Sequence, residues 1–176
     1  MAKRLVLDGQ NLQVSVLTDW AFQRQSWEVE IPETALSRVQ KSHLALFNLI
    51  ESKIPIYGVT TGFGDSGSRS IPAHRSEELQ KNLVAYLLCG SGPLLPVEAS
   101  RATLAIRLNS FLRGHSGVSV ELIERMQLHM QKDWITAIPR EGALGASGDL
   151  VPLAYLAQVI QGEGDVHTSG GLTPMS

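Results

Sequence analysis

Gly145-Ala146-Ser147-Gly148-Asp149-Leu150-Val151-Pro152-Leu153 runs from four small residues straight into an apolar helix start. Its centre, Ala146-Ser147-Gly148, can build an electrophile from its own backbone. The amide nitrogen of Gly148 attacks the carbonyl carbon of Ala146 and closes a five-membered ring. One water leaves on closure. A second leaves with the Ser147 hydroxyl, giving a 4-methylidene-imidazol-5-one. Gly148 has no side chain to block the approach and tolerates the strained backbone that closure needs. Ala146 is small, and Ser147 carries a hydroxyl that can leave. Asp149 and Pro152 place a helix N-terminus directly behind the ring, where the helix dipole favours negative charge. The same three small residues also serve as an ordinary helix start.

Two further stretches lie upstream. Tyr57-Gly58-Val59-Thr60-Thr61-Gly62-Phe63-Gly64 is rich in glycine and threonine, and RLNSFLRGHSGVS spans Arg107 to Ser119. Together with GALGASGDLVPLAY (142–155), and in this order, they resemble the aromatic amino acid ammonia-lyases and aminomutases. The resemblance implies a mainly α chain: the N-terminal part of the ammonia-lyase fold, several helices with a short N-terminal strand and a few minor strands. Residues 1–176 then match the first third of a family member, without its central helical bundle and C-terminal part. The turn-rich close at Gly170-Gly171-Leu172-Thr173-Pro174 fits a cut just after the prosthetic-group region.

The resemblance also implies site residues. The electrophile is the ring formed autocatalytically from Ala146, Ser147 and Gly148, with no metal and no nucleotide. The base is Tyr57. A free tyrosine has a pKa of about 10, so a basic role requires nearby positive charge or helix N-termini. Leu87 and Leu88 stand where the family's specificity pair stands, and an apolar first position implies a phenylalanine-like substrate. They read equally well as core leucines on a helix stripe. Gly64 and Leu150 line the same pocket by motif position. Arg113, His115 and Ser116 are read as structural. Family members are tetramers whose sites combine residues of different subunits. A homo-oligomer is therefore expected, as are substrate-carboxylate partners beyond residue 176, supplied in this case by a missing C-terminal chain. The reaction implied is elimination of ammonia from a small-molecule amino acid to give an arylacrylate. The alternatives are a 2,3-aminomutase, or a catalytically inactive truncated fragment that acts as an assembly subunit.

Composition agrees with a folded domain. The 176 residues are 43% apolar and 18% charged, with a net charge of −2, which describes a globular protein able to bury a core. No Lys/Arg cluster forms a stripe for nucleic acid. No apolar run reaches the length of a membrane span. The opening MAKRLVLDGQNL turns polar too soon for a signal peptide, so a cytoplasmic protein is expected. The single cysteine, Cys89, leaves no intrachain disulfide and no paired-cysteine metal site. We read it as a small buried filler.

Along the chain, Arg4–Leu7 followed by Asp8-Gly9 predicts a strand and a turn. Pro32 predicts a helix start, with Leu36, Val39, His43, Leu46, Phe47 and Ile50 as its stripe. Residues 57–72 read as a mobile loop. Ser76 opens a helix with Leu79, Leu83, Tyr86 and Leu87 on its apolar face. Pro96 opens another, with Leu104, Leu108, Phe111 and Leu112 facing inward. Ser119 caps the next, with Leu122, Ile123, Met126 and Met130 at helical spacing. A last helix is expected from about Asp149 to Ile160.

Overall fold

Strand β1 (Lys3–Val6) lies parallel to β2 (Trp27–Glu30), with Leu5 opposite Val29. Parallel neighbours need a crossover connection, and here it is α1 (Val14–Phe22). A computed structural model of the chain describes residues 3–144 and 147–175. Four longer helices follow: α2 (Glu33–Glu51), α3 (Ser76–Leu87), α4 (Val97–Phe111) and α5 (Val120–Lys132). Then comes α6 (Leu150–Ile160). Strands β3 (Ser91–Leu94) and β5 (Pro139–Glu141) pair antiparallel, and β4 (Ile135–Thr136) joins the hairpin of β6 (Asp165–Thr168) and β7 (Gly171–Pro174). The chain is mainly α with minor strands.

The core lies along α4 and α5. Leu104, Leu108 and Leu112 face Ile123, Met126 and Met130, all 0–1% exposed. Trp20 of α1, Leu5 of β1 and Leu156 of α6 close the same cluster. The helical spacing of these apolar residues is what makes one face of each helix bury. Ser119 caps α5 as its residue type predicts: its hydroxyl accepts the Leu122 N–H at 3.3 Å. At the other end Gly9, with φ +80°, lets the β1–α1 turn approach α4, because a Cβ there would stand 2.7 Å from the Leu112 carbonyl carbon. Its N–H donates to Asn109 Oδ1 at 2.9 Å.

Three expected burials are corrected. Of the α2 stripe Val39 is buried and Leu36, His43, Leu46 and Ile50 are half-buried, His43 and Leu46 against Gly117, while Phe47 stays 50% exposed. No described residue of α3 is fully buried, and Tyr86 is 80% exposed. Cys89 is exposed. The physical reason is common to all three: among the described residues no element covers Phe47, Tyr86 or Cys89, so a correct helical period does not by itself produce a buried face.

His129, in the last turn of α5, is buried edge-on to Trp134. Burial pushes its imidazole pKa below the usual 6.5, and the charge of Arg125 adds to this. The unfolded chain therefore takes up this proton before the folded one does. Stability is full above about pH 6.5, falls as the pH drops, and levels off below the folded pKa. Urea unfolding at pH 7.5 and 5.5 should show a lower midpoint at 5.5. The drop should shrink in His129→Gln; an equal drop in both proteins would clear His129.

Candidate active site

Residues 56–72 fold into a compact loop closed across its base. Ile71 N–H donates to the Thr60 carbonyl at 2.8 Å, Gly62 N–H donates to the Arg69 carbonyl at 3.1 Å, and Thr61 bridges Ser70. Thr61 is buried. Its hydroxyl accepts the Gly58 N–H at 3.2 Å and donates to the Gly62 carbonyl at 3.1 Å. Thr60 Oγ1 accepts the Ile56 N–H at 2.8 Å. The two threonines thus supply hydrogen bonds that a glycine-rich segment cannot get from a ladder.

Tyr57 is 65% exposed, yet its position is determined. The Gly64 N–H donates to its hydroxyl oxygen at 2.8 Å, and its ring meets Phe63 edge-on with centroids 6.1 Å apart. Gly67 lies beneath the ring, where an added Cβ would come within 3.1 Å of it. Gly58, with φ +72°, must remain glycine, since a Cβ would stand 2.6 Å from the Phe63 ring. Glycine content therefore reflects close packing within the loop as much as freedom.

The loop rests on the start of α3. The Ser76 hydroxyl donates to the Val59 carbonyl at 2.6 Å, and the Gln80 side-chain amide donates to the Gly58 carbonyl. Beside them the Arg75 guanidinium grips Glu78 through two bonds, at 2.9 and 3.1 Å, and holds its carboxyl below the usual value. From Gln80 the helix continues for seven residues, about 10 Å at 1.5 Å per residue, to Leu87 and its C-cap Leu88, both half-buried.

That far end of α3 meets the segment leading into the small-residue run. Ser91 of β3 pairs with Glu141 of β5. A Cβ on Gly142 would stand 2.9 Å from Gly90 Cα and 3.2 Å from Val151, and the Tyr155 hydroxyl donates to the Gly90 carbonyl at 3.4 Å. Leu87 and Leu88 are thereby carried to the base of α6. Ser147 and Gly148 precede that helix, both exposed, with the Leu150 N–H donating to the Ser147 carbonyl at 3.3 Å. Among the described residues, an added Cβ on Gly148 would meet nothing within 4 Å. Asp149 is the N-cap residue but makes no side-chain cap, so it leaves the first N–H groups of α6 uncovered by its carboxylate. Leu150 is 47% exposed and Leu144 95%. Ala146 lies outside the described residues.

The structure thus joins Tyr57 to Gly64, and the Leu87-Leu88 turn to the approach to Ser147. Among the described residues no hydrogen bond or ring contact joins Tyr57 to Ser147. The roles of Ser76 and Gln80 escape sequence reasoning, because nothing local marks a side chain that grips a loop seventeen or twenty-two residues away. Among the described residues, no group of three or more His, Cys, Asp or Glu side chains could hold a metal ion.

Comparison with known proteins agrees with the motif resemblance. The family model described as aromatic amino acid lyase matches residues 12–176. A histidine ammonia-lyase of Staphylococcus aureus (strain MRSA252) is 40% identical over 166 residues, covering 94% of this chain and 32% of that protein. The crystal structure of a tyrosine aminomutase from Streptomyces globisporus superposes with a TM-score of 0.88 at 34% identity, over 98% of this chain and 32% of its own. The histidine ammonia-lyase of Trypanosoma cruzi does so with a TM-score of 0.84 at 30% identity, over 97% and 32%. The chain spans about a third of the length of these relatives. With the family model covering nearly all of it, this chain belongs to the aromatic amino acid lyase family.

Proposed function

We propose that the chain supplies the prosthetic-group segment and the base loop of an ammonia-lyase that converts a phenylalanine-like amino acid to an arylacrylate and ammonia. The observation that carries it is Gly148, unobstructed and next to Ser147 at the foot of α6. The residue set fits a ring derived from Ala146, Ser147 and Gly148. Among the described residues nothing lies within 4 Å of where a Cβ on Gly148 would stand, and Ser147 beside it is exposed. Once formed, such a ring supplies an electrophile that makes ammonia a better leaving group or the β-proton more acidic.

The remaining chemistry falls to the chain's side chains. Tyr57, as its phenolate, takes the β-proton on its oxygen and becomes the phenol. The Gly64 N–H holds that oxygen in one place. Leu87 and Leu88 present apolar surface to an unsubstituted aryl ring, which supports the phenylalanine-like substrate, and Leu150 extends that surface at the foot of α6. Tyr57 and Ser147 are both exposed, and among the described residues no hydrogen bond or ring contact joins them. We therefore read the working site as composite, assembled in a cytoplasmic homo-oligomer from more than one copy, with residues 1–176 as the N-terminal segment of a longer lyase domain. A second reading, a 2,3-aminomutase, is favoured by the likeness to the tyrosine aminomutase. It differs in returning ammonia to the neighbouring carbon.

The test is the mass of the tryptic peptide that carries Ser147, measured separately in monomeric and associated fractions of the purified protein. Packing over 147–148 should be needed for closure, because that segment is open in the single chain. The associated fraction should lack two waters, and the Ser147→Ala peptide should keep its full, unmodified mass. Incubation with phenylalanine then separates the two readings: cinnamate marks a lyase and β-phenylalanine a mutase. An unmodified peptide in every fraction, with neither product formed, would leave an inactive assembly subunit.

A further inference from the structure

Two polar side chains of α3 grip two successive carbonyls of the tyrosine loop. Ser76 holds Val59 and Gln80 holds Gly58. They stand at i and i+4, on one face of the helix. This spacing lets one helical turn fix the two carbonyls on either side of Val59. The Gly58 unit is the one that matters for Tyr57. It follows Tyr57 directly, its N–H is taken by Thr61 Oγ1, and its α-carbon packs on Phe63, the ring that Tyr57 meets edge-on. Rotation of the Gly58 peptide would therefore move Tyr57 and Phe63 together.

We propose that Gln80 is a positioning residue for Tyr57. Its amide locks the Gly58 carbonyl, and so keeps the Tyr57 hydroxyl under the Gly64 N–H, with Ser76 as the second point of the clamp. Its importance for catalysis rests on the ammonia-lyase reading above; its effect on the loop does not. Gln80 is exposed, and α3 has no fully buried described residue. Replacing it therefore removes no buried side chain from the α4–α5 core.

Amide hydrogen exchange measured by NMR on the 176-residue chain tests this without any need for turnover. Gln80→Met keeps the length of the side chain and removes the donor. The Gly64 amide should exchange roughly three- to tenfold faster, as the loss of one hydrogen bond predicts. Tyr57→Phe should accelerate the same amide, since it removes the acceptor. Gln80→Lys restores a donor on a long stem and should recover most of the protection. Amides of Leu104, Leu108, Ile123 and Met126 should keep their parent rates throughout. An unchanged Gly64 rate in Gln80→Met overturns the proposal. So does a general acceleration that includes the α4–α5 amides, which would make Gln80 a stability residue. Failure of the ammonia-lyase reading would show instead in the mass of the Ser147 peptide, with the exchange pattern intact.

Discussion

Tyr57→Phe should lower turnover of phenylalanine by about 10²–10⁴-fold, the usual worth of a positioned general base. That is roughly 3–5 kcal/mol of barrier. The fold should hardly notice. Tyr57 is 65% exposed, its hydroxyl makes one hydrogen bond, and the Gly64 N–H left behind is in reach of water. The ring contacts with Phe63 and Gly67 survive in phenylalanine. Thermal stability should therefore stay within about 0.5 kcal/mol of the parent, and the Ser147 peptide should still lose its two waters. The measurement is kcat on protein whose Ser147 peptide has been shown to be dehydrated. A variant within threefold of the parent would remove Tyr57 from the chemistry.

The largest effect on folding is expected at Asp133, which the chain uses as a hub for two arginines. Asp133 ends α5 in the left-handed conformation, φ +57°. Its carboxylate accepts two hydrogen bonds from Arg101, at 2.9 and 3.0 Å, and lies 3.3 Å from Arg24 Nε. Arg101 also donates to the Ala21 carbonyl, and Arg24 donates to the Met130 and Gln131 carbonyls. The three side chains are only 15–24% exposed. Asp133→Ala leaves two largely buried guanidinium groups facing each other with no anion between them. Removing one partner of a buried pair costs about 3–5 kcal/mol; partial access to water lowers this, and alanine adds about 1 kcal/mol for the left-handed backbone. A loss of about 3 kcal/mol by urea unfolding is expected. Asp133→Asn keeps an acceptor and tolerates the backbone, so it should cost about half as much. A loss under 1 kcal/mol for alanine would mean that the arginines find other partners.

Several elements could be read in advance because their signals are local. Ser119 caps α5 through a bond to an N–H three residues on. The stripe Leu122, Ile123, Met126, Met130 needs only the helical period to define its inner face. Pro96 and Pro152 stand at or within a helix's first turn, where a missing N–H is harmless. The strand before Asp8-Gly9 and the helix behind Gly148 are of the same kind. Family membership was legible for a related reason, since the three motifs are contiguous runs whose residue types carry the resemblance.

The β6–β7 hairpin was not legible. Of its eight strand residues only Val166 is buried, and Leu172 is 54% exposed, so no alternating pattern announces it. The Asp133 hub draws on α1, the turn after it, α4 and α5, and no spacing within any of them foretells the other three. The same holds for Cys89, Phe47 and Tyr86. Their residue types favour burial, yet burial depends on what lies across from them, and among the described residues nothing does. The candidate site divides in the same way. Its chemical groups, a phenol, a hydroxyl and a glycine amide, are properties of residue type and of short runs, so the order of letters suffices to name them. The grip of Ser76 and Gln80 on the tyrosine loop and the close approach of Gly142 to Gly90 arise from contacts between segments far apart in the chain. Those contacts depend on how the segments pack in the folded chain, because hydrogen-bond geometry across long loops is settled by packing and not by local propensity.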